Sequence, residues 1–266
     1  ANMPFVLPLT TSTEDQTQNP VLFIFLGASN LARSFHGLKY CIERCIFPRP
    51  ASFVHAMGPG RGYLSRGGIL NAVYSPILNC GILEAVRNKK IKDLSVVALI
   101  TDIGNDIMYG VSSEKIINGL QYLLNALGEF KTNIFITSIP VDLENDISEL
   151  HFHIIRQIYF PKSPVKYSQA SNNIKAINKF ILQSSNKKIT VINDMKQFCG
   201  IDKIHYSILK SQSAWCHIAE KLTTSLSTNV SPKFKTSELA LSIANNAARI
   251  LLTDMLGIIK KTKETF

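Results

Sequence analysis

Five short apolar runs, each followed by a stretch with helical spacing, constrain this chain more than any other feature. The runs are VLFIFLG (21–27), ASFVHAM (51–57), LSVVALIT (94–101), NIFITSIP (133–140) and KITVIND (188–194). Their apolar residues are mostly consecutive rather than alternating. Strands of a parallel sheet read this way because both faces are covered. Helices are expected near 30–45, 68–87, 113–128, 168–185 and 211–226. Strands that alternate with helices build βαβ units and a doubly wound sheet. Right-handed crossovers then bring the loops after the strands to one edge, where sites gather.

The chain has 266 residues, enough for one large α/β domain with a sizeable core. The expected division is an N-terminal extension over 1–20, a domain over 21–230 and a C-terminal extension over 231–266. Residues 144–167 carry two prolines and little periodicity, and are expected to form a long loop over the site. Residues 236–261 read as an amphipathic helix, with Leu239, Ile243, Ala247, Ile250 and Leu251 near one face. Its expected role is packing on the domain, contact with a second subunit or peripheral contact with a membrane. The first twenty residues lack a basic start and a long apolar core, so a cytoplasmic protein is expected.

Composition excludes several classes. No apolar run reaches the roughly 18–20 residues of a membrane span. The five cysteines (Cys41, Cys45, Cys80, Cys199 and Cys216) include no CxxC pair and read as reduced structural thiols. The net charge of +10 is spread over scattered lysines without an arginine-rich stripe. Nucleic acid is therefore not an expected partner, whereas anionic substrates or membrane surfaces are compatible with the charge.

Four polar segments stand just after or near the ends of the apolar runs. GASN contains Ser29, GPGRGYLSRGG holds five of the fourteen glycines, DIGND contains Asn105, and GIDKIHYS contains Asp202 and His205. Ester chemistry needs a nucleophile, a base, a group that orients the base and donors for an oxyanion. Ser29, His205, Asp202 and Asn105 are residues of those types. The local sequence also allows Ser29 to be only the N-cap of a helix. The glycine-rich loop lacks the Gly-Lys-Ser/Thr ending of a phosphate loop. Asn30, Arg61 and Arg66 are candidates for contact with substrate. Asp106 reads as structural.

Gly27-Ala28-Ser29-Asn30-Leu31, Asn105-Asp106 and Asp202-x-x-His205 resemble three sequence blocks of the SGNH hydrolases, the GDSL esterase and lipase superfamily. The resemblance spans roughly 21–226. It implies a flavodoxin-like three-layer α/β/α fold with a mostly parallel five-stranded sheet. It also implies no metal and no organic cofactor. Ser29 would be the nucleophile, His205 the base and Asp202 its orienter. The Ser29 N–H, Asn105 and one glycine of Gly58, Gly60 and Gly62, with Gly60 best placed, would form the oxyanion hole. The implied substrate is a small-molecule, lipid or sugar acyl ester. The same triad would serve an acyltransferase, and an inactive binding scaffold would keep the fold alone. The family usually has an acid at position 28 and a glycine at position 103, where this chain has Ala28 and Ile103.

Overall fold

A computed structural model of the chain describes residues 19–69, 72–89, 94–224, 226, 240–241, 244–245, 247–248, 251 and 266. The chain runs through β1 (Val21–Leu26), α1 (Ser29–Ile46), β2 (Ala51–Ala56), α2 (Ile82–Asn88), β3 (Ser95–Ile100), α3 (Asn105–Met108) and α4 (Ser113–Gly128). It continues through β4 (Asn133–Thr137), α5 (Leu143–Asp146), α6 (Glu149–Tyr159), α7 (Tyr167–Gln183), β5 (Ile189–Ile192) and α8 (Ser211–Thr224). The five strands form one parallel sheet in the order β2-β1-β3-β4-β5. This is the α/β class that the apolar runs predict.

Every residue of β1 is buried, as its unbroken apolar sequence requires. Alternate side chains serve two cores. Leu22, Ile24 and Leu26 pack with α2, α4 and α7, while Val21, Phe23 and Phe25 pack with α1 and α8. Three layers result: helices, sheet, helices. From β1 the chain leaves to β2 on one side, then crosses back to β3 on the other. The carboxyl ends of β1 and β3 flank that reversal, where an open α/β sheet leaves a crevice.

Two expectations are corrected. The helix predicted over 68–87 is confined to α2, Ile82–Asn88, preceded by a single 3₁₀ turn at Ile77–Asn79. The segment before it buries Tyr74 and pairs Gly67 with Tyr74. Gly67, Gly68 and Pro76 disfavour a helix there. The loop predicted over 144–167 is largely helical, with α6 at its centre. Ser148 caps α6 by accepting a hydrogen bond from the His151 N–H at 3.2 Å. Elsewhere in the fold, His217 on α8 pairs with Asp194 at 2.8 Å. Nearly all of the expected N-terminal extension and most of the 236–261 helix lie outside the described residues.

Candidate active site

Ser29 is the first residue of α1, directly after β1, and its side chain does not cap the helix. Instead its Oγ lies 2.9 Å from His205 Nε2. His205 Nδ1 lies 2.7 Å from Asp202 Oδ2. An ionised carboxylate only accepts, so the neutral imidazole carries its proton on Nδ1 and presents the Nε2 lone pair to the serine hydroxyl. Burial alone would push the Asp202 carboxyl up. The His205 ring and the N–H groups of His205 and Ile204 outweigh that and hold it down at about 2.

The end of β3 holds the nucleophile in place. Asp102 has a positive φ of 58°, a conformation that aspartate tolerates better than most residues. Its Oδ2 accepts from the N–H groups of Ala28 at 2.9 Å and Leu31 at 3.1 Å. These are orphan donors at the start of α1, and Ala28 in the cap position has no side chain to satisfy them. The acceptor that Ala28 lacks is thus supplied from a strand end more than seventy residues away. Sequence reasoning missed Asp102, because its partners, the Ala28 and Leu31 N–H groups and the Asn30 amide, all lie more than seventy residues away in the chain.

Asn30 is buried and committed. Its Nδ2 donates to Asp102 Oδ1 at 2.9 Å and to the Ile204 carbonyl at 3.1 Å. Its Oδ1 accepts from the Tyr206 N–H at 2.9 Å. It clamps the His205 loop to α1 and β3, and it also lines the cavity beside Ser29.

The glycine-rich loop is gripped by α3. Asn105 Nδ2 donates to the Arg61 carbonyl at 2.9 Å, which leaves its second N–H. Asp106 accepts from the N–H groups of Tyr63 at 2.6 Å and Ser65 at 2.8 Å. Burial pushes its carboxyl up from the ordinary value. Tyr109, the residue after α3, donates its hydroxyl to the Gly60 carbonyl at 2.5 Å. Tyr63 reaches below, its hydroxyl within 2.9 and 2.7 Å of the Leu26 and Thr101 carbonyls at the ends of β1 and β3. Of the three candidate glycines, Gly60 alone has a positive φ, 74°, and a Cβ there would come within 2.9 Å of the Gly68 carbonyl carbon.

The two arginines do not face the pocket. Arg61 is 1% exposed, donates through Nε to the Ser75 carbonyl at 3.0 Å and through Nη1 to the Phe266 carbonyl, and lies over the Tyr74 ring. Arg66 is exposed and is not part of the pocket wall. Their candidacy as substrate contacts is corrected accordingly. Tyr159, inside the segment expected to be a loop, closes the site from the α6 side. Its ring meets the His205 ring edge-on at 5.0 Å, and its hydroxyl is 3.4 Å from Asp202 Oδ2.

Beside Ser29 and Asn105 opens a cavity of about 90 Å³. Ile107, Met108, Ile139, Phe152, Ile155 and Ile174 make much of its wall, and α6 supplies two of these. Fold and site together define a doubly wound α/β protein with a serine–histidine–aspartate relay beside an apolar cavity.

No family model and no curated protein matches the sequence. Solved structures with a similar fold include an acetyl xylan esterase, 13% identical, with a TM-score of 0.47, covering 77% of this chain and 100% of that one. A psychrotrophic esterase from Pseudoalteromonas sp. is 11% identical, with a TM-score of 0.45, covering 77% and 98%. A member of the lipolytic protein G-D-S-L family from Veillonella parvula is 12% identical, with a TM-score of 0.42, covering 79% and 100%.

Proposed function

We propose that this chain hydrolyses a carboxylic ester through an acyl-enzyme, as an SGNH-type serine hydrolase. The observation that carries the reading is the unbroken Ser29–His205–Asp202 relay, with spacings of 2.9 and 2.7 Å. Ser29 Oγ attacks the ester carbonyl carbon while His205 Nε2 takes its proton. The imidazolium is stabilised by Asp202 and returns the proton to the departing alcohol. Water then attacks the acyl-enzyme, with His205 again as base, and releases the acid.

The oxyanion would be met by the Ser29 N–H, the second N–H of Asn105 Nδ2 and the Gly60 N–H. The Ser29 N–H stands at the start of α1, where main-chain N–H groups lack intrahelical partners, and the Asn105 donor is a side-chain amide already oriented by its bond to the Arg61 carbonyl. Main-chain donors bring no desolvation cost of their own at the moment of reaction. The apolar cavity favours an acyl group over a charged or sugar group on that side of the ester.

A fluorophosphonate probe tests this directly. Wild-type protein should be labelled at Ser29, and Ser29→Ala should not. Absence of label on the folded wild type would remove the proposal.

A further inference from the structure

The helix that walls the cavity is apolar on both sides. Phe152 and Ile155 point inward and are buried. Leu150, Ile154 and Ile158, at i, i+4 and i+8, form a single outer stripe and are 71%, 51% and 67% exposed. A surface helix normally places polar residues there. The C-terminal end of α6 abuts the Asp202–His205 loop through Tyr159. That loop carries its own exposed apolar residues next to the relay: Ile201 at 88%, Ile208 at 66% and Leu209 at 93%. Isolated apolar residues on a surface need no explanation, but two sets meeting at the mouth of one site do.

Basic residues border both elements, and the acids of α5 beside the start of α6 are paired, Glu144 with Lys175 at 2.5 Å and Asp146 with Lys196 at 2.6 Å. Lys162 and Lys166 follow α6, and Lys203 and Lys210 flank the loop residues. Arg33 on α1 is near enough to act on the Tyr159 hydroxyl. The acids here are already engaged: Glu149 lies 3.6 Å from His153, and Asp202 holds His205. The whole chain carries +10. An apolar stripe bordered by lysines is what an anionic lipid surface attracts and then buries.

We propose that the outer face of α6 and the 201–209 loop dock this protein on an anionic lipid surface, with the mouth of the Ser29 site against the lipid. Leu150, Ile154 and Ile158 enter the acyl boundary, and the lysines meet the headgroups. No described helix is long and apolar enough to cross a membrane, so contact is at the surface. An acyl chain leaving the lipid then meets Tyr159 and Phe160 at the end of α6 before the apolar cavity. Docking does not depend on the ester-hydrolase reading. Only the identity of what is cleaved rests on it.

Flotation with vesicles of phosphatidylglycerol and phosphatidylcholine tests the proposal. The Ser29→Ala protein should float with phosphatidylglycerol vesicles and far less with pure phosphatidylcholine. Ile154→Asp/Ile158→Asp should weaken that binding by about tenfold or more, and Ile201→Asp/Leu209→Asp should do the same from the other element. Both double variants should keep wild-type turnover of a soluble acetyl ester. No flotation of the parent, or flotation unaltered in both double variants, would overturn the proposal. So would light scattering that shows a dimer which Ile154→Asp/Ile158→Asp dissolves, because the face would then join two copies of the chain.

Discussion

Asn30 and Asp102 form a buried brace behind the nucleophile, Nδ2 to Oδ1 at 2.9 Å. Through it the first turn of α1, the end of β3 and the His205 loop share one set of hydrogen bonds. Asp102 uses its other oxygen on the Ala28 and Leu31 N–H groups, so each of its atoms has an assigned task. Ala28 is tolerated beside Ser29 because the acceptor comes from elsewhere.

Asp102→Asn should therefore damage the site although it is nearly isosteric. Its amide must point NH₂ either at the Asn30 NH₂ or at the two main-chain donors. Both choices oppose donors, and a buried donor left unmet costs about 1–3 kcal/mol. Urea unfolding should show a loss of that order. Turnover of a soluble ester should fall more than KM changes, because Asp102 acts by holding the first turn of α1, which carries Ser29. Unchanged stability would show that the brace is dispensable.

His205→Ala should lower kcat by on the order of 10³–10⁶. Asn105→Ala should lower it by about 10²–10³ through a lost oxyanion donor. Asn105 also clasps the Arg61 carbonyl, so a thermal melt is the control for loop damage. Single-turnover rates with a p-nitrophenyl ester measure both. A His205→Ala protein with near-normal turnover would remove His205 from the mechanism.

The pH dependence of stability follows from Asp202. Its carboxyl titrates at about 2 in the folded protein against an ordinary 3.8. A depressed acid stabilises the fold above its unfolded value, and the stabilisation is lost as pH falls through the folded value. The difference in unfolding free energy between wild type and Asp202→Asn should be full at about pH 6 and shrink between about pH 4 and pH 2. Urea titrations at several pH values measure it. A difference that grows on acidification would contradict the lowered Asp202 carboxyl.

The backbone makes opposite demands at two glycines. Gly60 has φ 74° and no room for a Cβ, whereas Gly104 has φ −71° and the nearest atom to an added Cβ is Ile139 Cγ2 at 3.9 Å. Gly60→Ala should destabilise by more than about 1 kcal/mol, while Gly104→Ala should be neutral or slightly stabilising. Melting temperatures of the two variants decide it. The left-handed residue of the DIGND turn is Asp102.

How legible each feature was in sequence depends on where its partners lie. The strands were readable because β1 and β3 are covered on both faces, which forces runs such as VLFIFL and SVVALI. Ser29 and Asn105 were readable as residue types because each starts a helix close after a strand, and Asp202 and His205, set beyond β5 by a 3₁₀ turn at Met195–Phe198, were readable through their spacing of three residues. Helix α6 was hidden because Phe152 and Ile155 face inward while Leu150, Ile154 and Ile158 face outward, so no single stripe appears. Asp102 was hidden because its partners, two main-chain N–H groups and the Asn30 amide, lie more than seventy residues away in the chain. Arg61 was misplaced because nothing in GPGRGY shows that the side chain turns back towards Ser75 and Phe266.

The depth of the cavity should set the acyl chain that is accepted. Met108 lines it and is partly exposed, so it can be enlarged with less strain than a fully buried neighbour. Met108→Trp would fill part of a cavity of about 90 Å³. Rates on p-nitrophenyl esters from acetyl upward should then stay near wild type at the short end and fall about tenfold or more for longer chains, a loss of roughly 1.4 kcal/mol in transition-state binding. The change should appear in kcat/KM and should leave the melting temperature close to that of the wild type. If every ester slows equally, the acyl group lies on the other side of Ser29 and the cavity holds something else.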